Sequence, residues 1–106
     1  MDIRVFCQTI NRIIGPHRSY EVILLGDYNV CLLQDNYYKQ ELQNSMQSNC
    51  LYPTILSPTR VATVLRDGQY VITKSLIDNI YLNTQKPAQS GTLEISITDH
   101  YAVFVS

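Results

Sequence analysis

The run Val22-Ile23-Leu24-Leu25-Gly26-Asp27-Tyr28-Asn29 decides the fold class. Four apolar residues stand in a row with no polar alternation. Such a run suits a strand covered on both faces, as in a parallel sheet. Gly26-Asp27-Tyr28-Asn29 then has the composition of a turn. Working outward, Ile3, Phe6, Ile10, Ile13 and Ile14 recur three or four apart. That spacing predicts an amphipathic helix from Ile3 to Ile14, with Asp2 as N-cap and Gly15-Pro16 as the stop. On the other side, Tyr38, Leu42 and Met46 share one helical face and predict a second helix over Tyr37 to Ser48. Asp35 or Asn36 would cap it. Leu51 to Leu56 is interrupted by Pro53, so it reads as an edge strand or irregular segment. Val61–Leu65 and Tyr70–Thr73 flank Arg66-Asp67-Gly68-Gln69, a hairpin signature. Ser75 to Leu82 reads as a strand. Leu93, Ile95 and Ile97 alternate with Glu94, Ser96 and Thr98 as a second, and Tyr101 to Val105 as a last. Helices interspersed with strands give a layered α/β fold.

The chain's 106 residues correspond to one domain, with 45% hydrophobic and 16% charged residues, a globular composition. A formal charge of −1 supplies no positive field that would hold nucleic acid unaided. The apolar runs are too short to span a bilayer, and the first residues lack the pattern of a signal peptide. Cys7, Cys31 and Cys50 are odd in number and form no CxxC, so they read as reduced thiols of an intracellular protein. Cys7 and Cys50 fall near apolar positions and are expected to pack as small hydrophobes.

The informative residues are the polar ones that break pattern. Strand parity places Leu76, Asp78, Ile80 and Leu82 on one face. A carboxylate on an apolar face needs a donor, and an imidazole such as His100 would serve. The plainer alternative is that Asp78 sits at a strand end and meets water. Asp27 and Asn29 stand at i, i+2 beyond an apolar strand, where ligands of α/β sheets collect. They are equally ordinary turn formers that bond their own backbone. Asp99-His100 follows a strand too, as a metal-assisted hydrolytic pair or as a polar corner. His17 reads as solvated, and Tyr37 and Tyr38 as helix packing in preference to a base-stacking platform.

Taken in order, Ile23-Leu24-Leu25-Gly26-Asp27-Tyr28-Asn29, Pro58-Thr59-Arg60, Leu76-Ile77-Asp78-Asn79-Ile80-Tyr81 and Ser96-Ile97-Thr98-Asp99-His100 resemble the endonuclease/exonuclease/phosphatase superfamily. The Pro-Thr-Arg and Leu-Ile-Asp-Asn-Ile variants are similar to the endonuclease-like domain upstream of the reverse transcriptase in non-LTR retrotransposons. The set spans nearly the whole chain and corresponds to the C-terminal half of the family's domain. The resemblance implies half of a two-sheet α/β sandwich, a mixed sheet with flanking helices, and hydrolysis of nucleic-acid phosphodiesters aided by Mg²⁺ or Mn²⁺. Asp27 would orient and deprotonate the attacking water, and Asn29 would hold the scissile phosphate. Asp99, with Asp27, would lie on the metal side. His100 would stabilise charge on the phosphate, with Asp78 orienting it. Thr59 and Arg60 would border the substrate groove.

Four departures are mild. Thr98 stands where serine is usual, Tyr28 for Phe or Leu, Ala102 for a proline, and Arg60 for the wider family's Trp. The large departure is the family's N-terminal half, whose asparagine and glutamate metal ligands have no counterpart here. Glu21, Glu41 and Glu94 match no family motif. The expectation is therefore weak metal binding and little or no turnover, with DNA as the natural partner. A non-catalytic module, self-associating or pairing with the missing half through an uncovered sheet face, is the alternative. A small phosphate ester substrate ranks last, because no basic cluster for lipid headgroups is present.

Overall fold

The computed structural model describes residues 2–84, 90–93 and 99–105. Helix α1 spans Ile3–Ile14 as the spacing predicts. The Asp2 carboxylate accepts the Arg4 N–H at 2.9 Å, satisfying one of the orphan donors of the first turn. Gly15–His17 adds a 3₁₀ turn, with Pro16 at a position that needs no N–H. Helix α2 covers Tyr37–Ser48 and is capped by Asn36, which accepts from the Lys39 N–H at 3.0 Å. The helices pack together and bury Ile3, Cys7, Ile10 and Ile14 of α1 against Leu42 and Met46 of α2.

Strand β1 is Ile23–Asp27, β2 is Tyr52–Pro53 and β5 is Asp78–Leu82; they form a sheet in the order β1-β5-β2. Between them in sequence, β3 (Arg60–Arg66) and β4 (Gln69–Ser75) make a hairpin. Its two-residue turn, Asp67-Gly68, has φ of 51° and 76°, the left-handed pair that suits a twisted hairpin. Strands β6 (Ser90–Leu93) and β7 (Ala102–Val105) form a second hairpin-like pair. The expected strand content at Ile95 and Ile97, with Glu94, Ser96 and Thr98, lies outside the described residues.

The molecule is a mixed α/β arrangement of two helices and antiparallel sheets. Here the reading of Val22–Leu25 needs correction. Every strand pairing among the described residues is antiparallel, so neither a parallel nor a mixed sheet is present there. β1 is an edge strand, with Ile23 62% and Leu25 67% exposed, and is not covered on both faces. Leu24, and Val22 just before the strand, turn to the helices. The doubly covered strand is β5. Tyr81 faces the helices, while Ile80 and Leu82 are buried on the opposite face, on the strand against which β7 lies. An unbroken apolar run does not distinguish an edge strand from a central one, because the pattern records side chains and not hydrogen-bonded neighbours.

Smaller expectations also shift. The strand predicted over Ser75–Leu82 divides: Ser75 closes β4, and β5 begins at Asp78. Tyr37 and Tyr38 are exposed and pack edge-to-face on each other. In their place Ser45 and Asn49 are buried, with Asn49 donating to Asn11 at 2.6 Å and to the Ser45 carbonyl at 2.9 Å. Cys7 is buried as expected, but Cys50 is exposed, at φ 59° just beyond α2.

Candidate functional site

The register of β1 against β5 builds the site. Leu25 pairs with Ile80, Gly26 with Asn79 and Asp27 with Asp78. Directly opposed residues of an antiparallel pair project to the same face. Asp27 and Asp78 thus leave the sheet together, on the side opposite the helices. Two carboxylates facing each other repel, and a cation or imidazolium between them relieves the cost.

His100 supplies the imidazole. Its Nδ1 lies 2.9 Å from Asp78 Oδ2. A carboxylate accepts, so the proton of this bond sits on Nδ1. The Asp78 side chain is 15% exposed, which decides between the two sequence readings: it begins its strand, yet it is paired and not simply solvated. One ligand atom each of Asp27, Asp78 and His100 lie within 4.8 Å of one another.

Buried Thr59 joins these segments. It is fully buried, and its hydroxyl accepts the N–H groups of Ile77 at 3.2 Å and Asp78 at 3.0 Å. Its own N–H donates to the Ser75 carbonyl at 2.9 Å, and its carbonyl accepts from the Tyr101 N–H. The Val61 N–H donates to the Asp99 carbonyl at 2.8 Å, and Arg60 bridges to His100. The start of β5 and the segment carrying Asp99-His100 are therefore both fixed by Thr59 and its neighbours. Sequence reasoning set Thr59 beside a substrate groove; its side chain lies beneath the site, facing backbone.

Asp99 is engaged differently. Its Oδ2 lies 2.7 Å from Arg60 Nε, and its Oδ1 lies 3.9 Å from His100 Nε2. The hydrogen bond from Arg60, before any other influence, holds the Asp99 carboxyl below its ordinary value. The second carboxylate beside Asp27 is accordingly Asp78, and Asp99 flanks the cluster. Asp27 also behaves as a turn former, accepting the Asn29 N–H at 2.9 Å. That bond holds Asn29 at φ 53°, a left-handed conformation asparagine tolerates better than most residues.

Of the five residues expected at the centre, Asp27, Asp78, Asp99 and His100 thus meet at one end of the β1–β5 pair, with Arg60 at their border, and Asn29 follows just beyond with its N–H on Asp27. Beside them opens a cavity of about 520 Å³ whose wall includes Asn29, Arg60, Gln34, Asn36 and Ser75. Sequence reasoning gave Gln34 no role, Asn36 only a helix cap and Ser75 only a strand start. Behind the sheet, burial pushes the Tyr81 phenol up to about 12. Its hydroxyl finds no hydrogen-bond partner among the described residues. Among the described residues no helix is long and apolar enough to cross a membrane. Comparison with protein-family models, curated proteins and solved structures found nothing that matches this chain.

Proposed function

We propose that the chain carries the carboxylate–imidazole part of a metal-assisted phosphodiesterase acting on nucleic acid, with DNA as the expected substrate. The reading rests on one observation above the rest. Positions 27, 78 and 100, far apart in sequence, bring ligand atoms within 4.8 Å. It further implies that the β1-β5-β2 sheet is one layer of a two-sheet sandwich of the endonuclease/exonuclease/phosphatase kind.

The donor set suits a divalent cation. Asp27 and Asp78 offer hard oxygens that suit Mg²⁺ or Mn²⁺, and His100 beside them is left to the phosphate. Two carboxylates, one of them already bonded to His100, make a weak site for an ion that prefers six oxygens. A bound divalent ion would supply Lewis-acid polarisation of a phosphoryl oxygen.

The chain's own residues do the rest. Asp27 spends one oxygen on the Asn29 N–H and can take a proton from water with the other. The Asn29 carboxamide, held just beyond it, can donate to a phosphoryl oxygen. Asp78 accepts from His100 Nδ1 and so fixes the ring. A charged His100 then donates toward negative charge as it develops on the phosphate. Arg60 keeps Asp99 at the flank and adds positive charge at the border.

Mn²⁺ titration followed by paramagnetic line broadening, paired with plasmid nicking in Mn²⁺ and Mg²⁺, tests this. Weak Mn²⁺ binding around Asp27, Asp78 and His100 is expected, with slow nicking that Asp27→Ala and His100→Ala each abolish. Absence of Mn²⁺ binding, or nicking that survives both substitutions, overturns it.

A second reading draws on a specific feature. Ile23 and Leu25 are exposed on an edge strand, a template for pairing with another chain. As a non-catalytic module the chain would associate through β1. Size-exclusion chromatography separates the two, since a monomer at all concentrations argues against that role.

A further inference from the structure

The β3–β4 hairpin leaves a long strand edge open. Among the described residues it belongs to no larger sheet, and its one further bridge, from Arg60 to His100, lies at its base on β3. The outer edge of β4, Gln69–Ser75, therefore has no strand beside it there. A two-stranded ribbon is marginal in water, and a third or fourth strand stabilises it.

Edge strands are ordinarily guarded by proline, a bulge, inward charges or shortness. β4 has no proline, and its register with β3 runs through seven residue pairs without a bulge. Its one charge, Lys74, stands next to its end. Tyr70 is 80% and Ile72 64% exposed, and Leu65, directly opposite Tyr70 on β3, extends the same apolar face. Seven residues make an edge of roughly 23 Å. β1, the other apolar edge, has five residues and ends in Asp27.

The sequence of this edge fits a copy of itself. One antiparallel register, centred on Ile72, pairs the whole strand with its copy. It sets Ile72 against Ile72, Val71 against Thr73, Tyr70 against Lys74 and Gln69 against Ser75. Opposed residues share a face, so β-branched side chains meet β-branched ones and amide meets hydroxyl. The Lys74 ammonium meets the Tyr70 ring, a cation–π pair made twice across the axis. No like charges are opposed. A two-fold axis through Ile72 generates the pairing and closes it at two copies.

We propose that the outer edge of β4 is a dimerisation edge, which joins two copies of this chain in a four-stranded antiparallel sheet. The proposal rests neither on the hydrolytic reading nor on association through β1.

Sedimentation equilibrium of the full chain, from micromolar to millimolar concentration, should show a mass rising from 12.1 kDa toward twice that value. Hydrogen exchange should slow at alternate amides of Gln69–Ser75 as the dimer forms, and stay unchanged across Arg60–Arg66. Ile72→Lys opposes two ammoniums on the axis and should weaken association roughly five- to thirty-fold, a favourable cross-strand pair exchanged for a repelling one. Tyr70→Lys repels Lys74 of the second copy and should weaken it likewise. Tyr70→Glu removes the same ring but attracts that ammonium, and should preserve the dimer. Both positions are exposed in the monomer, so the circular dichroism spectrum should hold in all three variants. Leu25→Lys, which charges the β1 edge, should leave the dimer intact. A monomer throughout the concentration range, or equal losses in Tyr70→Lys and Tyr70→Glu, overturns the proposal. A dimer lost in Leu25→Lys and kept in Ile72→Lys overturns it and assigns association to β1. Amide shifts at Gln69–Ser75 that follow added duplex DNA and not chain concentration overturn it as well.

Discussion

Replacing Thr59 by valine probes the residue that holds the site together. Valine keeps the shape of threonine and removes only the hydroxyl. The hydroxyl accepts two backbone N–H groups, from Ile77 at 3.2 Å and Asp78 at 3.0 Å, in a fully buried position. Each buried donor left without an acceptor costs about 1–3 kcal/mol. The two share one oxygen, so the loss in Thr59→Val is about 2–4 kcal/mol. Thr59→Ser keeps the acceptor and removes one methyl, a loss of about 1 kcal/mol. The order is the reverse of what hydrophobicity predicts: the more apolar variant is the less stable. Urea unfolding followed by circular dichroism gives both values. The His100 ring resonances give a second readout, because the Asp78 N–H donates to the Thr59 hydroxyl and the Asp78 carboxylate holds His100. Loss of the hydroxyl should loosen the Asp78–His100 pair in the valine variant and leave it intact in the serine variant. Equal stability of the valine variant and the natural chain, or a serine variant weaker than the valine one, refutes the role assigned to Thr59.

Tyr81→Phe removes a buried hydroxyl that has no partner among the described residues, so it should raise stability by about 1 kcal/mol, measured in the same urea experiment. Gly68→Ala puts a Cβ at φ 76° in the β3–β4 turn and should cost about 1 kcal/mol, visible as lost amide protection across Arg60–Ser75. The Asp99 carboxyl sits below its ordinary value of 3.8, chiefly through the hydrogen bond from Arg60. Its contribution is then present above that value and is lost as the pH falls through the lower, folded one. A carboxyl ¹³C titration should find the Asp99 midpoint returning toward 3.8 in Arg60→Ala, and the difference should shrink in high salt because the pair is exposed.

Local rules carried the sequence a long way in the helices and turns. Asp2, the Ile3–Ile14 stripe and Gly15-Pro16 delimit α1 because capping and periodicity act within a few residues. Pro53 marks an edge strand and Asp67-Gly68 a tight hairpin for the same reason. The demand of Asp78 for a donor was legible too, since an acid among Leu76, Ile80 and Leu82 is costly unless paired. The identity of that donor as His100 depends on a contact across 22 positions, which no local pattern encodes.

What only the tertiary structure decided is which strand is covered and where the polar side chains meet. Val22–Leu25 is apolar throughout and Asp78–Leu82 opens on two polar residues, yet the first lies at an edge and the second in the middle. The register that sets Asp27 opposite Asp78, the burial of Thr59 beneath them and the joining of Gln34, Asn36 and Ser75 into one cavity wall are likewise properties of the assembled sheet. Composition and periodicity report what each residue prefers against water. Long-range pairing decides which neighbours it receives, and chain entropy leaves that choice open until the layers close.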